Sequence, residues 1–140
     1  MRSCAERDLV GDRLARTAIR LSGVYERVVG RPLGLRRNEY FILRVVEDMA
    51  GINACRLAET LDIARPNMTV LLDDLQRRNL IRRESDPADR RAKRICLTEH
   101  GQTVLDEAGS ALLEGERGIF GQLTEVDRAT LLSLLEKLRT

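Results

Sequence analysis

The spacing of apolar residues changes at Asn79. Before it they recur every three or four positions, whereas residues 80–85 and 92–97 are short strand-like runs on either side of Asp86-Pro-Ala-Asp-Arg-Arg91. Two strands alone bury too little surface to be stable in water, so a single hairpin has to lie against helices. Asp86-Pro87 is a turn-initiating pair, and a proline there cannot extend a ladder, so the tip projects. The chain is therefore expected to be mainly α with one small, basic β-hairpin.

The helices around that hairpin carry their own punctuation. Residues 5–29 form a first helix, with Leu9, Leu14, Ala18, Leu21, Tyr25 and Val28 recurring at three- to five-residue spacing and Gly30 and Pro32 as stop signals. Residues 38–50 form a second, in which Phe41, Ile42, Val45, Val46 and Met49 cover more than one face and place it centrally in the core, with Gly51 ending it. Asn53 caps a short third helix over 54–61. Arg65-Pro66-Asn67 opens a fourth, with proline in the first turn, where its missing N–H costs nothing; Met68, Leu71, Leu72 and Leu75 follow, and Asn79 closes it in left-handed conformation. Thr98 caps a fifth helix reaching about Gly118, and Thr124 with Asp127 opens a last one over 125–138.

Composition narrows the function classes. A chain of 140 residues, 43% hydrophobic and 33% charged, fits one domain, and it has no apolar run of the length a membrane helix needs. Its N-terminal stretch has charges where a secretory signal would be apolar, so a cytoplasmic location is expected. Three scattered cysteines, Cys4, Cys55 and Cys96, and one histidine, His100, point to free thiols and to neither a metal site nor a bound cofactor. No glycine-rich phosphate loop or His/Asp/Glu cluster suggests an enzyme. Net charge is only +2, but residues 76–95 carry eight Lys/Arg against three acids, while residues 97–140 carry four against eight. Positive charge focused in one place is the footprint of a polyanion binder, and 22 arginines among 24 basic residues suit bidentate phosphate or base contacts.

Two helices joined by a short turn and followed at once by a basic hairpin are the layout of a winged helix. The second helix of the pair fits the major groove, and the hairpin can reach the adjacent minor groove, whose negative potential attracts arginine. The stretch LAETLDIARPNMTVLLDDLQRRNLIRRESDPADRRAKRICLTEHG, residues 57–101, resembles the MarR family of transcriptional regulators, and LRRNEYFIL before it is similar to the opening of that family's second helix. Two positions depart from the family pattern, Arg36 in place of a capping threonine and Asn79 in place of glycine. The resemblance implies a single domain over 1–140, with a winged helix-turn-helix DNA-binding part at 36–98 and dimerisation helices at 5–30 and 99–140. It also implies a homodimer reading a pseudo-palindromic operator on double-stranded DNA, most commonly as a repressor.

The same resemblance assigns Arg65, Pro66, Asn67 and Thr69 to the exposed start of the recognition helix. Arg65 and Asn67 suit guanine and adenine edges or phosphates, and Thr69 suits a phosphate or a thymine methyl; cap and turn chemistry alone would explain Pro66. In the wing, Asp89-Arg90-Arg91 matches the family's Asp-x-Arg, which makes Arg91 the minor-groove probe, Asp89 its orienter, and Arg90 and Arg94 phosphate contacts. Family members are released from DNA by small aromatic or phenolic effectors, which here implicates Tyr25, Tyr40 and Phe41, though each also reads as core. Two other readings stay open: a winged-helix module that binds protein and no DNA, and control through oxidation of a cysteine.

Overall fold

The computed structural model describes residues 9–139, so Cys4 and the start of the expected first helix lie outside the described residues. Helix α1 (Val10–Tyr25) runs through a π turn (Glu26–Gly30) into a last short turn, α2 (Arg31–Leu33). Gly30 and Pro32 are not its stop signals. Gly30 keeps helical dihedrals and the helix continues past Pro32; the chain leaves it at Gly34, at φ 60°. Helix α3 (Arg37–Asp48) ends two residues earlier than expected, and Gly51, at φ 88°, makes the turn that follows. Its buried side chains are Ile42, Leu43, Val46 and, unexpectedly, Glu39, while Phe41 and Met49 face outward.

Helices α4 (Ala54–Leu61) and α5 (Arg65–Arg77) follow the sequence punctuation closely. Asn53 Oδ1 accepts the Arg56 N–H at 2.8 Å. Between the helices Asp62 adopts φ 53°, and the Ile63 N–H returns to the Ala58 carbonyl at 3.0 Å, so three residues suffice for the turn. Asn79 closes α5 at φ 58°, with its own N–H on Gln76 O and the Leu80 N–H on Leu75 O, both at 3.0 Å, a double closure that glycine is not needed to make.

Strands β1 (Ile81–Ser85) and β2 (Lys93–Leu97) pair antiparallel with Arg83 opposite Ile95 and Glu84 opposite Arg94. The outer edge of β2 is also paired, because Ile95 N–H donates to Ile52 O and Gly51 N–H to Ile95 O, both at 3.0 Å. Helix α6 (Glu99–Gly115) starts at its Thr98 cap, whose Oγ1 accepts the Gly101 N–H at 2.9 Å. It stops at Gly115, short of Gly118, and a separate turn, α7 (Arg117–Phe120), follows. Gly115 faces Val24 and Val28 so closely that a methyl group would press on both, which makes it the crossing point of α6 over α1. Helix α8 (Glu125–Lys137) opens with the reciprocal Thr124–Asp127 capping box, both bonds at 3.1 Å.

The core lies where α3, α4, α5 and α6 meet the hairpin root. Leu35, Leu43, Leu57, Leu75 and Ile95 are fully buried, each of them removing on the order of 2 kcal/mol of apolar surface from water. No described residue of α8 is buried, and Val10, Ile19 and Val126 stand at 69%, 71% and 75% exposure.

Candidate nucleic-acid interface

The N-terminal turn of α5 presents Arg65, Pro66, Asn67 and Thr69 to solvent, with Met68 turned inward as the anchor. The N-cap of this helix is Ala64, without a side-chain cap, so Asn67 is not spent on capping. Thr69 Oγ1 donates to the Arg65 carbonyl at 3.1 Å. Arg65 Nη2 reaches across the turn to Cys55 Sγ at 3.0 Å, which ties the guanidinium to the start of α4. Val70, 65% exposed one residue further on, extends the face with an apolar surface suited to a thymine methyl. Sequence reading passed over it because a lone exposed valine carries no signal of its own.

The hairpin tip is shaped by its two aspartates. Asp86 Oδ1 accepts the Ala88 N–H at 2.9 Å and Asp89 Oδ1 accepts the Arg91 N–H at 3.0 Å, two Asx turns that leave Asp89, Arg90 and Arg91 exposed. Asp89 therefore acts on the main chain of Arg91. Arg91 and Lys93 line one side of a cleft of about 420 Å³ whose other wall is Asn53, Ala54 and Cys55, so wing and α4 flank a common basic hollow. Strand alternation sends Arg94 to the other face, where its guanidinium lies over Gly51, opposite Glu84. On that face Arg82 hydrogen-bonds Glu84 at 2.6 Å and holds its carboxyl below the usual carboxylate range.

A second cluster sits where α1 meets α3. The rings of Tyr25 and Tyr40 are 5.9 Å apart, those of Tyr40 and Phe41 6.1 Å, and the Arg37 guanidinium lies 4.6 Å from Tyr25 and 5.1 Å from Phe41. Tyr25 is buried and donates its hydroxyl to Leu35 O at 2.7 Å; burial pushes its phenol well above the ordinary value, against the lowering pull of Arg37. Arg37 Nη1 is buried without a hydrogen-bond partner. Arg37 was missed in the sequence, although its four-residue spacing from Phe41 places both on one helix face.

An exposed helix start on a three-residue turn, flanked by a projecting basic hairpin, defines a winged helix-turn-helix protein that binds DNA. The MarR family profile matches residues 33–92. The HTH-type transcriptional regulator YpoP of Bacillus subtilis is 32% identical over 104 residues, 74% of either chain. Among solved structures, the repressor CouR on a 23-mer DNA duplex superposes with a TM-score of 0.85 at 28% identity, covering 100% of this chain and 99% of that one. CouR from Rhodococcus jostii RHA1 bound to p-coumaroyl-CoA superposes with the same score and identity, covering 98% and 96%. The chain belongs to the MarR family: it is a DNA-binding transcriptional regulator and not an enzyme. Among the described residues no helix is long and apolar enough to cross a membrane.

Proposed function

We propose that the protein is a cytoplasmic homodimeric repressor that holds a pseudo-palindromic operator through Arg65, Pro66, Asn67, Thr69 and the wing residues Asp89, Arg90, Arg91 and Arg94, and is released by a small aromatic or phenolic effector. The observation that carries the dimer is the uncovered apolar surface at the two ends of the described chain. A groove of about 500 Å³ between α1 and α8 is lined by Val10, Leu14, Leu21, Phe120, Leu131 and Leu135, and a second copy bringing the same surface would cover it by two-fold symmetry. Residues 5–30 and 99–140 then form the dimerisation part, and two recognition helices face half-sites about one helical turn apart.

The DNA-facing assignment is supported by the exposed start of α5, whose Arg65 meets Cys55, and by Arg91 of the wing across the cleft from the same Cys55, with Arg94 on the opposite face outside this support; repression is supported by the likeness to CouR. The effector reading rests on the Tyr40 and Phe41 rings beside the Arg37 guanidinium, with the buried Tyr25 beneath them, and on the CouR complex with p-coumaroyl-CoA. An effector that favours a different spacing of the two halves lowers DNA affinity by linkage.

The test is fluorescence anisotropy on DNA from upstream of the protein's own gene, titrated across salt, with sedimentation of the same samples. Wild type should bind as a dimer with a steep salt dependence. Arg91→Ala should lower the slope of log K against log salt by about 1.8, two phosphate-equivalent contacts per dimer. Equal, weak binding by both proteins would favour the protein-interaction reading.

A further inference from the structure

The far end of the recognition helix is gripped by one side chain. Arg78, the residue that follows α5, donates from Nη1 to Glu39 at 2.6 Å and to Asp74 at 3.3 Å, and from Nη2 to the Gly34 carbonyl at 2.7 Å. Glu39 is 0% exposed. Its other oxygen takes the Arg36 backbone N–H at 2.9 Å and the Arg36 Nε at 3.1 Å, so the same carboxylate closes the first turn of α3 and receives the guanidinium from α5. A buried carboxylate needs such a partner, and the planar fork of arginine is the group that can satisfy a carboxylate and a neighbouring carbonyl together.

The segment being gripped is held from its other side as well. Tyr25, on the N-terminal helix, donates its hydroxyl to Leu35 O, between the Gly34 carbonyl and the Glu39 turn that Arg78 holds. A continuous set of bonds therefore runs from α1 through residues 34–39 to the C-terminal end of α5. Geometry makes that end matter. A helix of 13 residues is about 20 Å long, so a tilt of about 5° at Arg78 moves the Arg65 end by about 1.7 Å, more than a base-edge hydrogen bond tolerates.

We propose that Arg78 is a positioning residue for base reading: by bolting the end of the recognition helix to residues 34–39, it sets the angle at which Arg65, Asn67 and Thr69 meet DNA, and Tyr25 holds that setting from the N-terminal helix. This rests on the DNA-binding reading and adds to it the residues that fix the helix angle. Arg78 acts through the helix and does not touch the bases.

The experiment compares full-length wild type, Arg78→Gln, Arg78→Lys, Tyr25→Phe and the Arg78→Gln/Tyr25→Phe double variant. Each is titrated well below its melting temperature on two duplexes, one that wild type enriches from a random library and one of the same composition, scrambled. For Arg78→Gln the ratio of specific to scrambled affinity should fall about tenfold, the loss of at least one base contact, with scrambled affinity and salt slope nearly unchanged. Arg78→Lys, which keeps the charge but not the fork, should recover part of the ratio. Tyr25→Phe should lower it by less, and the double variant should fall short of the product of the two single effects. A lowered melting temperature with the ratio intact makes Arg78 a plain structural brace and overturns the proposal. So does an equal loss on both duplexes with a flatter salt slope, which would make Arg78 a phosphate contact. If wild type enriches no sequence at all, the DNA reading and this proposal fall together.

Discussion

Two glycines of α6 should respond to the same substitution with opposite signs. Gly101 lies against the hairpin root: an added Cβ would fall well inside van der Waals contact distance of the Leu80 carbonyl oxygen, which also accepts the Thr98 N–H at 3.2 Å. Gly109, two turns on in the same helix, has nothing within 4 Å of an added Cβ. Alanine in a helix interior is favoured over glycine by about 1 kcal/mol, and Gly109→Ala should gain most of that. At Gly101 the same gain is overwhelmed, because a backbone oxygen cannot rotate away and either the start of α6 or the root of β1 has to shift. Overpacking of that kind costs about 3 kcal/mol, leaving a net loss of about 2 kcal/mol. For a chain of this size each kcal/mol moves Tm by about 3–4 °C, so Gly101→Ala should melt roughly 7 °C lower and Gly109→Ala about 3 °C higher. Calorimetry at one fixed protein concentration reads both, which keeps any association-linked change in Tm out of the comparison. If Gly101→Ala melts at or above wild type, the close approach of α6 to Leu80 is not as described and the argument for that glycine fails.

Other perturbations probe other parts of the molecule. The buried Tyr25 phenol ionises at higher pH folded than unfolded, so its stabilisation is complete below about pH 10 and is lost as pH rises above it; urea titrations should show an alkaline decline that Tyr25→Phe flattens. Alkylating Cys55 puts a bulky group on the sulfur that Arg65 contacts and fills the cleft beside Arg91, so treated protein should bind operator at least tenfold more weakly while Cys55→Ser, treated alike, keeps its affinity; equal binding before and after treatment would remove Cys55 from the interface. Leu135→Asp, on the exposed wall of the α1–α8 groove, should sediment as a monomer with unchanged helix content, and a dimer would place the interface elsewhere.

What could be read from the sequence was whatever is decided within a few residues. The caps at Asn53, Thr98 and Thr124, the left-handed Asn79 and the two strand runs are local chemistry, and each stands within one or two residues of its expected place. Gly30 and Pro32 misled because their stop value depends on context: a glycine can keep helical dihedrals, and the helix runs on through the proline by way of a π turn, ending only at Gly34. The sequence singled out apolar residues of α3 and not Glu39. Its burial follows from Arg78, 39 residues away, and spacing within one helix cannot reveal such a partner. In the same way the three aromatic residues were legible as a set only through the family resemblance, and the guanidinium between them became visible once α1 and α3 were packed together.

The paired outer edge of β2 gives the wing a mechanical character. Because Ile95 spends its N–H and its carbonyl on residues 51–52 while its strand pairs with β1 on the other side, the hairpin is anchored at its base like a post set in a floor, and the overhang runs from Ile95 to the turn at Arg91. That overhang is about four residues, only Lys93 and Arg94 of them strand, and spans at most about 13 Å. The loop shaped by the Asx turns at Asp86 and Asp89 is then the part of the wing beyond its anchorage, and the part that can shift without disturbing residues 51–52.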